Sequence, residues 1–396
     1  MTTAGRAAEA TADADAPLLA QALDVPPSQL TLLSREPLGE GHVAGFRLAD
    51  AAHAVAYLDT SLLPVDVETG LALEGVARVW IHPADPHLPA LAPAAFGQAT
   101  EILLGRLGMT SAGAPEIVGY RPGRRAVLRV PATHDVVWVK IVRPSRVRRV
   151  VDNHARLTGA GLPVPAVHGW SPDGLIVMAG APGVAATDAR PEPHRLLDGV
   201  DDLRRALAAS GLAEPARTTL LARRDWYAEH LIVLAPGRRD DIRALVAAVG
   251  GEHDAPGAAA IHGDLHLGQL FLDPRTDAVT GLIDVDTAGV GAAADDVAAF
   301  VGHAVASAAL TAEAHDAEHV WALAAAAWER WYDVAGIRSR TAVHLLGHAL
   351  GAAHSAASAR RDGLLAVAAA IVDTRSDPGK TPLIDSFEAI YARSAH

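Results

Sequence analysis

Residues 260–289, AIHGDLHLGQLFLDPRTDAVTGLIDVDTAG, constrain this chain more than any other stretch. An aspartate, Asp264, sits in a loop opened by His262 and Gly263, and two apolar runs of strand length, QLFLD and VTGLIDV, follow it. They are joined by DPRTD, whose proline and aspartates carry turn chemistry, so the segment predicts a hairpin that returns the chain to a second aspartate, Asp284. A lone His-Gly-Asp is commonly a turn that caps a helix; the hairpin ending in a carboxylate gives this one a chemical reading.

Two carboxylates and an amide in this order suit phosphoryl transfer. That reaction needs one carboxylate to orient and deprotonate the attacking hydroxyl, an oxygen ligand shortly after it for a metal ion, and a second carboxylate bridging metal and phosphates. Asp264, Gln269 and Asp284 fill those roles in sequence order. An aspartate at the end of an apolar strand is partly desolvated, and a hard cation with oxygen ligands offsets that burial.

The rest of the chain divides by pattern. Between Gln29 and Thr60 short apolar runs alternate with glycines 39, 41 and 45, which predicts a small sheet. A proline-rich stretch near HPADPHLPALAP precedes a helical pattern over Ala94 to Leu107. EIVGYRPGRRAVLRV and VVWVKIV then predict three antiparallel strands, with a turn near PATHD. A helix over Arg146 to Gly159 follows, stopped by GAGLPVP, and AVHGWSPDGLIVM reads as a hairpin. Beyond Ala185 helices predominate.

With 396 residues the chain can bury more than one core. The net charge of −12 excludes a general polyanion-binding surface, so nucleic acid is not an expected partner, and the cluster Arg143, Arg146, Arg148 and Arg149 reads as a solvated helix face. Apolar runs such as Leu364 to Val372 are too short to span a bilayer, and the opening MTTAGRAAEATADADAPLLA lacks the basic start and apolar core of a secretory signal. The absence of cysteine fits a reducing compartment, so a cytoplasmic protein without a membrane partner is expected.

The two aspartate motifs resemble those of the aminoglycoside phosphotransferase and choline kinase group of small-molecule kinases. His262-Gly263-Asp264 with Gln269 resembles their catalytic loop, Leu282-Ile283-Asp284 their metal-binding strand end, and Gly289 with Asp296-Val297-Ala298 their closing element, over roughly Glu116 to His303. The resemblance implies an α+β, two-lobed protein-kinase-like fold, with ATP or GTP and Mg2+ as cofactors and the hydroxyl of a small molecule as acceptor. It implies that Lys140 holds the α- and β-phosphates with Asp152 as its carboxylate partner, and that backbone groups at Ala179 and Ala181, in the hinge Met178 to Pro182, meet the adenine edge. Gly123, in YRPGRR, belongs by the same token to the flap over the phosphates. The family commonly has asparagine where this chain has Gln269.

HGDLHLGQ also resembles maltokinase-like members, which makes residues 1–110 a cap-like region, 111–183 the kinase-like N-lobe and hinge, and 184–396 the mainly helical C-lobe with the acceptor site. An aminoglycoside-like antibiotic or a sugar is the expected acceptor. Its wall is expected in TAEAHDAEHVWALAAAAWERWYD, where Glu313, Asp316, Glu318, Glu329 and Asp333 outnumber the single Arg330, so that the field attracts cations, and tryptophans supply stacking surfaces.

Alternatives stand beside this reading. A nucleotide-binding pseudokinase accounts for Gln269. His262-x-Asp264-x-His266 also suits a metal-dependent phosphoesterase, although it leaves Lys140 without a role. His262 reads as a loop stabiliser and His266 as a solvent-facing spacer. His344 and His348, four apart on one helix face, can bind zinc, but no glutamate follows His344 as metalloproteases require, and ordinary packing is the plainer account.

Overall fold

The structure is a computed structural model that describes residues 14–49, 54–133, 135–217, 220–249, 257–311, 317–355 and 357–373. The chain divides into two units, Met1–Asp152 with Ala166–Gly180, and Asn153–Pro165 with Ala181–His396.

In the first unit, residues 14–23 form helix α1. A five-stranded antiparallel sheet follows, built from β1 (Leu30–Leu38), β2 (Gly41–Leu48), β3 (Val55–Asp59), β4 (Leu71–Leu73) and β5 (Ala77–Ile81), in the order β1-β2-β3-β5-β4. The first three strands are those expected; β4 and β5, of three and five residues, are not among them. Leu19 of α1 packs on Ala44, Phe46, Leu58 and Val79. The helical pattern over Ala94 to Leu107 forms two helices, α2 (Leu91–Ala95) and α3 (Gly97–Arg106), because Phe96 between them is extended at φ −95°, ψ 122°.

A second antiparallel sheet orders β6 (Glu116–Arg121), β7 (Arg125–Pro131), β8 (Val136–Val142), β10 (Leu175–Met178) and β9 (Val167–Trp170) as β6-β7-β8-β10-β9. Strand alternation sorts its faces. Val137, Val139 and Ile141 of β8 pack with Leu91 and Leu104, whereas Val142 packs with Val147 and Val150 of helix α4 (Pro144–Gly159). Lys140, on the same face as Val142, is 4% exposed.

The second unit is mainly helical. Its short strands are β11 (Val184–Ala185), β12 (Ala258–Ile261), β13 (Leu270–Leu272), β14 (Val279–Leu282) and β15 (Gly289–Ala292). β11, β13 and β14 form one sheet and β12 pairs with β15 in another. Helices α5 (Ala186–Ala189), α6 (Pro193–Ala208), α7 (Arg224–Leu234), α8 (Arg239–Val249), α9 (Ala293–Thr311), α10 (Ala317–Trp331), α11 (Ile337–His354) and α12 (Ser358–Val372) surround them. The expected QLFLD and VTGLIDV hairpin is β13–β14, with Leu270 opposite Leu282. Helix α9 is long and apolar enough to cross a membrane, but 78% of its apolar window is buried in the unit. An antiparallel sheet with one helix inserted, followed by a helical unit carrying the catalytic hairpin, is the α+β protein-kinase-like arrangement.

Candidate active site

The loop after β12 is shaped by a clamp. Asp296, in the first turn of α9, accepts hydrogen bonds from the backbone N–H of His262 (2.9 Å) and of Gly263 (2.8 Å). Thr287 Oγ1 donates to the His262 carbonyl at 2.8 Å. Gly263 has φ +84°, and a Cβ there would stand 3.0 Å from the Thr287 carbonyl oxygen, so only glycine fits this turn. The wholly buried His262 directs Nε2 to the Ile283 carbonyl at 3.0 Å, the loop-stabilising role expected of it.

The hairpin returns the chain as anticipated. Ile283 N donates to the Gln269 carbonyl at 3.0 Å, and the next residue, Asp284, adopts a left-handed conformation at φ 64°, ψ 37°, before a 3-10 turn over Val285–Thr287. Asn153 Nδ2 holds that turn from α4, donating to the carbonyls of Val285 and Ala288 at 3.1 Å each. Gln269 is 4% exposed, and its side-chain Oε1 is buried without a hydrogen-bond partner among the described residues. A buried amide oxygen lacking a donor is costly, and it is the atom a hard cation takes, so Gln269 with Asp284 fits a magnesium ion.

Asp264 is half-exposed at a cavity of about 250 Å³ lined by Arg223, Tyr227, Thr287, His303, His344 and His348, among others. His303 Nε2 stands 3.6 Å, and His344 Nε2 4.0 Å, from Asp264 Oδ1. Burial raises the Asp264 carboxyl, but the His303 imidazole beside it and the fields of His266 and His262 outweigh that and hold it below the usual carboxylate range. It is therefore ionised at neutral pH and able to accept a proton. His266 is not the solvent-facing spacer expected. Its ring lies against that of His303, centroids 4.1 Å apart, and its Nδ1 accepts from Gly268 N at 3.1 Å. Burial first, and then the neighbouring His303, lower His266 to about 4; burial likewise lowers His348 to about 3 and holds His344 well below the ordinary histidine range.

The remaining expected residues lie as follows. Asp152 is exposed on α4, with Oδ2 3.4 Å from Arg148 Nε, and must leave that pair to serve Lys140. Ala179 N already donates to the Ala166 carbonyl at 2.9 Å, so an adenine contact at 179 falls to its carbonyl. Ala181 opens the second unit and is partly exposed. Gly123, at φ +65°, is pinned in its turn: its N–H donates to Asp85 Oδ2 at 2.7 Å, and its carbonyl accepts from Arg143 Nε at 2.6 Å.

The described part of the acidic stretch expected to wall the acceptor does not line this cavity. Glu318, Glu329 and Asp333 are exposed and none lines the cavity beside Asp264. Glu313 and Asp316 lie outside the described residues. Arg330 pairs with Asp198 and Asp201, and Trp328 and Trp331 are buried core residues. Helical period shows that residues share a face, not which neighbour that face meets. The residues sequence reasoning missed are His303, Tyr227, Arg223 and the buried pair Arg340–Asp295 (2.7 Å), which ties α11 to α9; isolated in alanine-rich or irregular sequence, they carry no local signature.

No curated protein matches the chain. Among solved structures, an aminoglycoside-3'-phosphotransferase of type VIII is 25% identical over 63% of this chain and 96% of its own, with a TM-score of 0.43. A choline/ethanolamine kinase family protein from Mesorhizobium loti is 18% identical, covering 74% of this chain and 99% of its own, with a TM-score of 0.45. An aminoglycoside phosphotransferase from Streptomyces rimosus is 20% identical over 64% and 98%, with a TM-score of 0.42. The model of the phosphotransferase enzyme family matches residues 118–334, more than half of the sequence and the whole of the Asp264 and Asp284 hairpin, and the chain therefore belongs to that family of small-molecule phosphotransferases.

Proposed function

We propose that this phosphotransferase moves the γ-phosphate of ATP or GTP, bound with magnesium, to a hydroxyl of a single-ring sugar or amino sugar in the cytoplasm. The observation that carries the reading is the placement of Asp264 at the edge of a small cavity lined by hydroxyl, imidazole and guanidinium groups. At about 250 Å³ the cavity lies below the roughly 300–1,000 Å³ usual for drug-sized ligands, which favours one ring over a multi-ring antibiotic.

In this proposal Asp264 accepts the proton of the attacking hydroxyl as the oxygen–phosphorus bond forms, and the nucleoside diphosphate leaves. Gln269 Oε1 and Asp284 hold magnesium, which neutralises phosphate charge when bound. Lys140 contacts the phosphates, with Asp152 assigned to it by position alone, and the backbone at Ala179 and Ala181 receives the adenine edge. Residues 1–110 form the cap-like region, 111–183 the N-lobe and hinge, and 184–396 the lobe that binds the acceptor.

Release of nucleoside diphosphate, measured with ATP and with GTP against monosaccharides, amino sugars and aminoglycosides, tests the reading. Turnover is expected with a sugar or amino sugar, with added salt raising KM only for the amines. Turnover confined to anionic acceptors or to proteins overturns it.

A further inference from the structure

Three histidines from two helices converge beside Asp264, and the phosphotransfer reading uses them only as cavity lining. His344 and His348 lie one turn apart on α11 and face His303 of α9. Ring centroids are 4.6 Å apart for His303–His344, 4.7 Å for His303–His348 and 5.2 Å for His344–His348. One ring nitrogen from each of the three lies within 4.8 Å of the others, and a carboxylate oxygen of Asp264 with one ring nitrogen each of His266 and His303 makes a second group as close. His344 is 10% exposed in its side chain, and His344 Nδ1 and His348 Nε2 are buried without a hydrogen-bond partner among the described residues.

We infer that His303, His344 and His348 form a three-imidazole binding site for one borderline divalent transition cation, zinc foremost, with the fourth position left to solvent. Three imidazoles are a donor set that zinc, nickel and cobalt accept and that magnesium does not prefer. Zinc bonds to nitrogen of about 2.0–2.1 Å set ligand atoms about 3.3 Å apart in a tetrahedron, so the rings close inward by small χ adjustments when the ion enters. Of the other charged groups facing the site, the Asp295 carboxylate is engaged by Arg340, and Arg223 lines the same cavity. The site differs from the magnesium site in residues and in chemistry, and it shares the cavity beside Asp264 in which the acceptor is proposed to bind.

The test uses the full chain without a histidine tag, stripped by chelator, in buffer holding millimolar magnesium. Calorimetric titration with zinc chloride is expected to give one equivalent per chain at micromolar affinity or tighter. Cobalt is expected to produce the visible absorption of a tetrahedral nitrogen-ligated ion, a readout that needs no variant. His348→Gln and His303→Asn are each expected to weaken zinc binding at least tenfold, whereas Asp284→Asn leaves it unchanged. Absence of a stoichiometric zinc equivalent, or an equivalent that both histidine variants retain, overturns the assignment.

Discussion

Asp296 and Gly263 are joined by a hydrogen bond of 2.8 Å, carboxylate to backbone amide, and the second oxygen of the same carboxylate takes the N–H of His262 at 2.9 Å. One wholly buried side chain thus fixes two successive peptide groups just before Asp264. Asp296→Ala leaves both N–H groups buried and unsatisfied, at about 1–3 kcal/mol each. A fall in the thermal midpoint and a loss in kcat larger than any loss in nucleotide affinity are expected. Unchanged stability and kcat would show that the clamp does not set the loop.

Asp264→Ala is expected to lower turnover by about a hundredfold to ten-thousandfold while nucleotide binding persists, because the residue orients the acceptor and not the phosphates. Calorimetry with nucleotide and magnesium, beside a coupled turnover assay, separates the two effects. Wild-type turnover in this variant would remove Asp264 from the mechanism.

Asp284→Asn is expected to weaken nucleotide binding only when magnesium is present, since it removes the charge facing the cation. Asparagine tolerates the left-handed backbone at 284, so folding is preserved, whereas Asp284→Ala adds about 1–2 kcal/mol of strain. Gln269→Asn keeps an amide oxygen and loses less affinity. Nucleotide affinity indifferent to magnesium and to both substitutions would favour a nucleotide-binding module without transfer activity.

Asp59 offers a prediction on pH. Its buried carboxylate accepts from His87 Nε2 (2.7 Å), Ser61 N (2.7 Å) and Arg78 Nη1 (3.3 Å). Burial raises the carboxyl, but the hydrogen bonds from His87 and Ser61 outweigh it and hold the group below its ordinary value. Stabilisation from a depressed carboxylate is complete above its unfolded value and is lost as pH falls through the folded one. The stability gap between wild type and Asp59→Asn in urea unfolding should therefore stay level from pH 7 to 5 and close below about pH 4. A gap that closes above pH 5 would assign the titration to another group.

Much of this architecture is legible in sequence because its signals are local. Pro274 and the flanking aspartates mark the hairpin turn, and the apolar runs on either side have strand length, so β13, β14 and the place of Asp284 follow from neighbouring residues. The strands β6 to β10 and helix α4 follow for the same reason. His303 does not, because one histidine in an alanine-rich helix looks the same whether it meets a cavity or a neighbouring side chain. Residue Gln269 was read by chemistry alone; its orphaned Oε1 becomes visible only once the hairpin has closed over it.

Helix α9 carries a consequence for adaptation. It presents Asp296 to the loop and His303 to the cavity, yet it is buried along nearly its whole length, and a Cβ on Gly302 would stand 2.8 Å from the His344 Cβ. Larger side chains have nowhere to go on such a helix, and smaller ones open voids. Changes that alter the cavity without disturbing this helix therefore fall to Leu220, Arg223 and Tyr227, which line it from other elements.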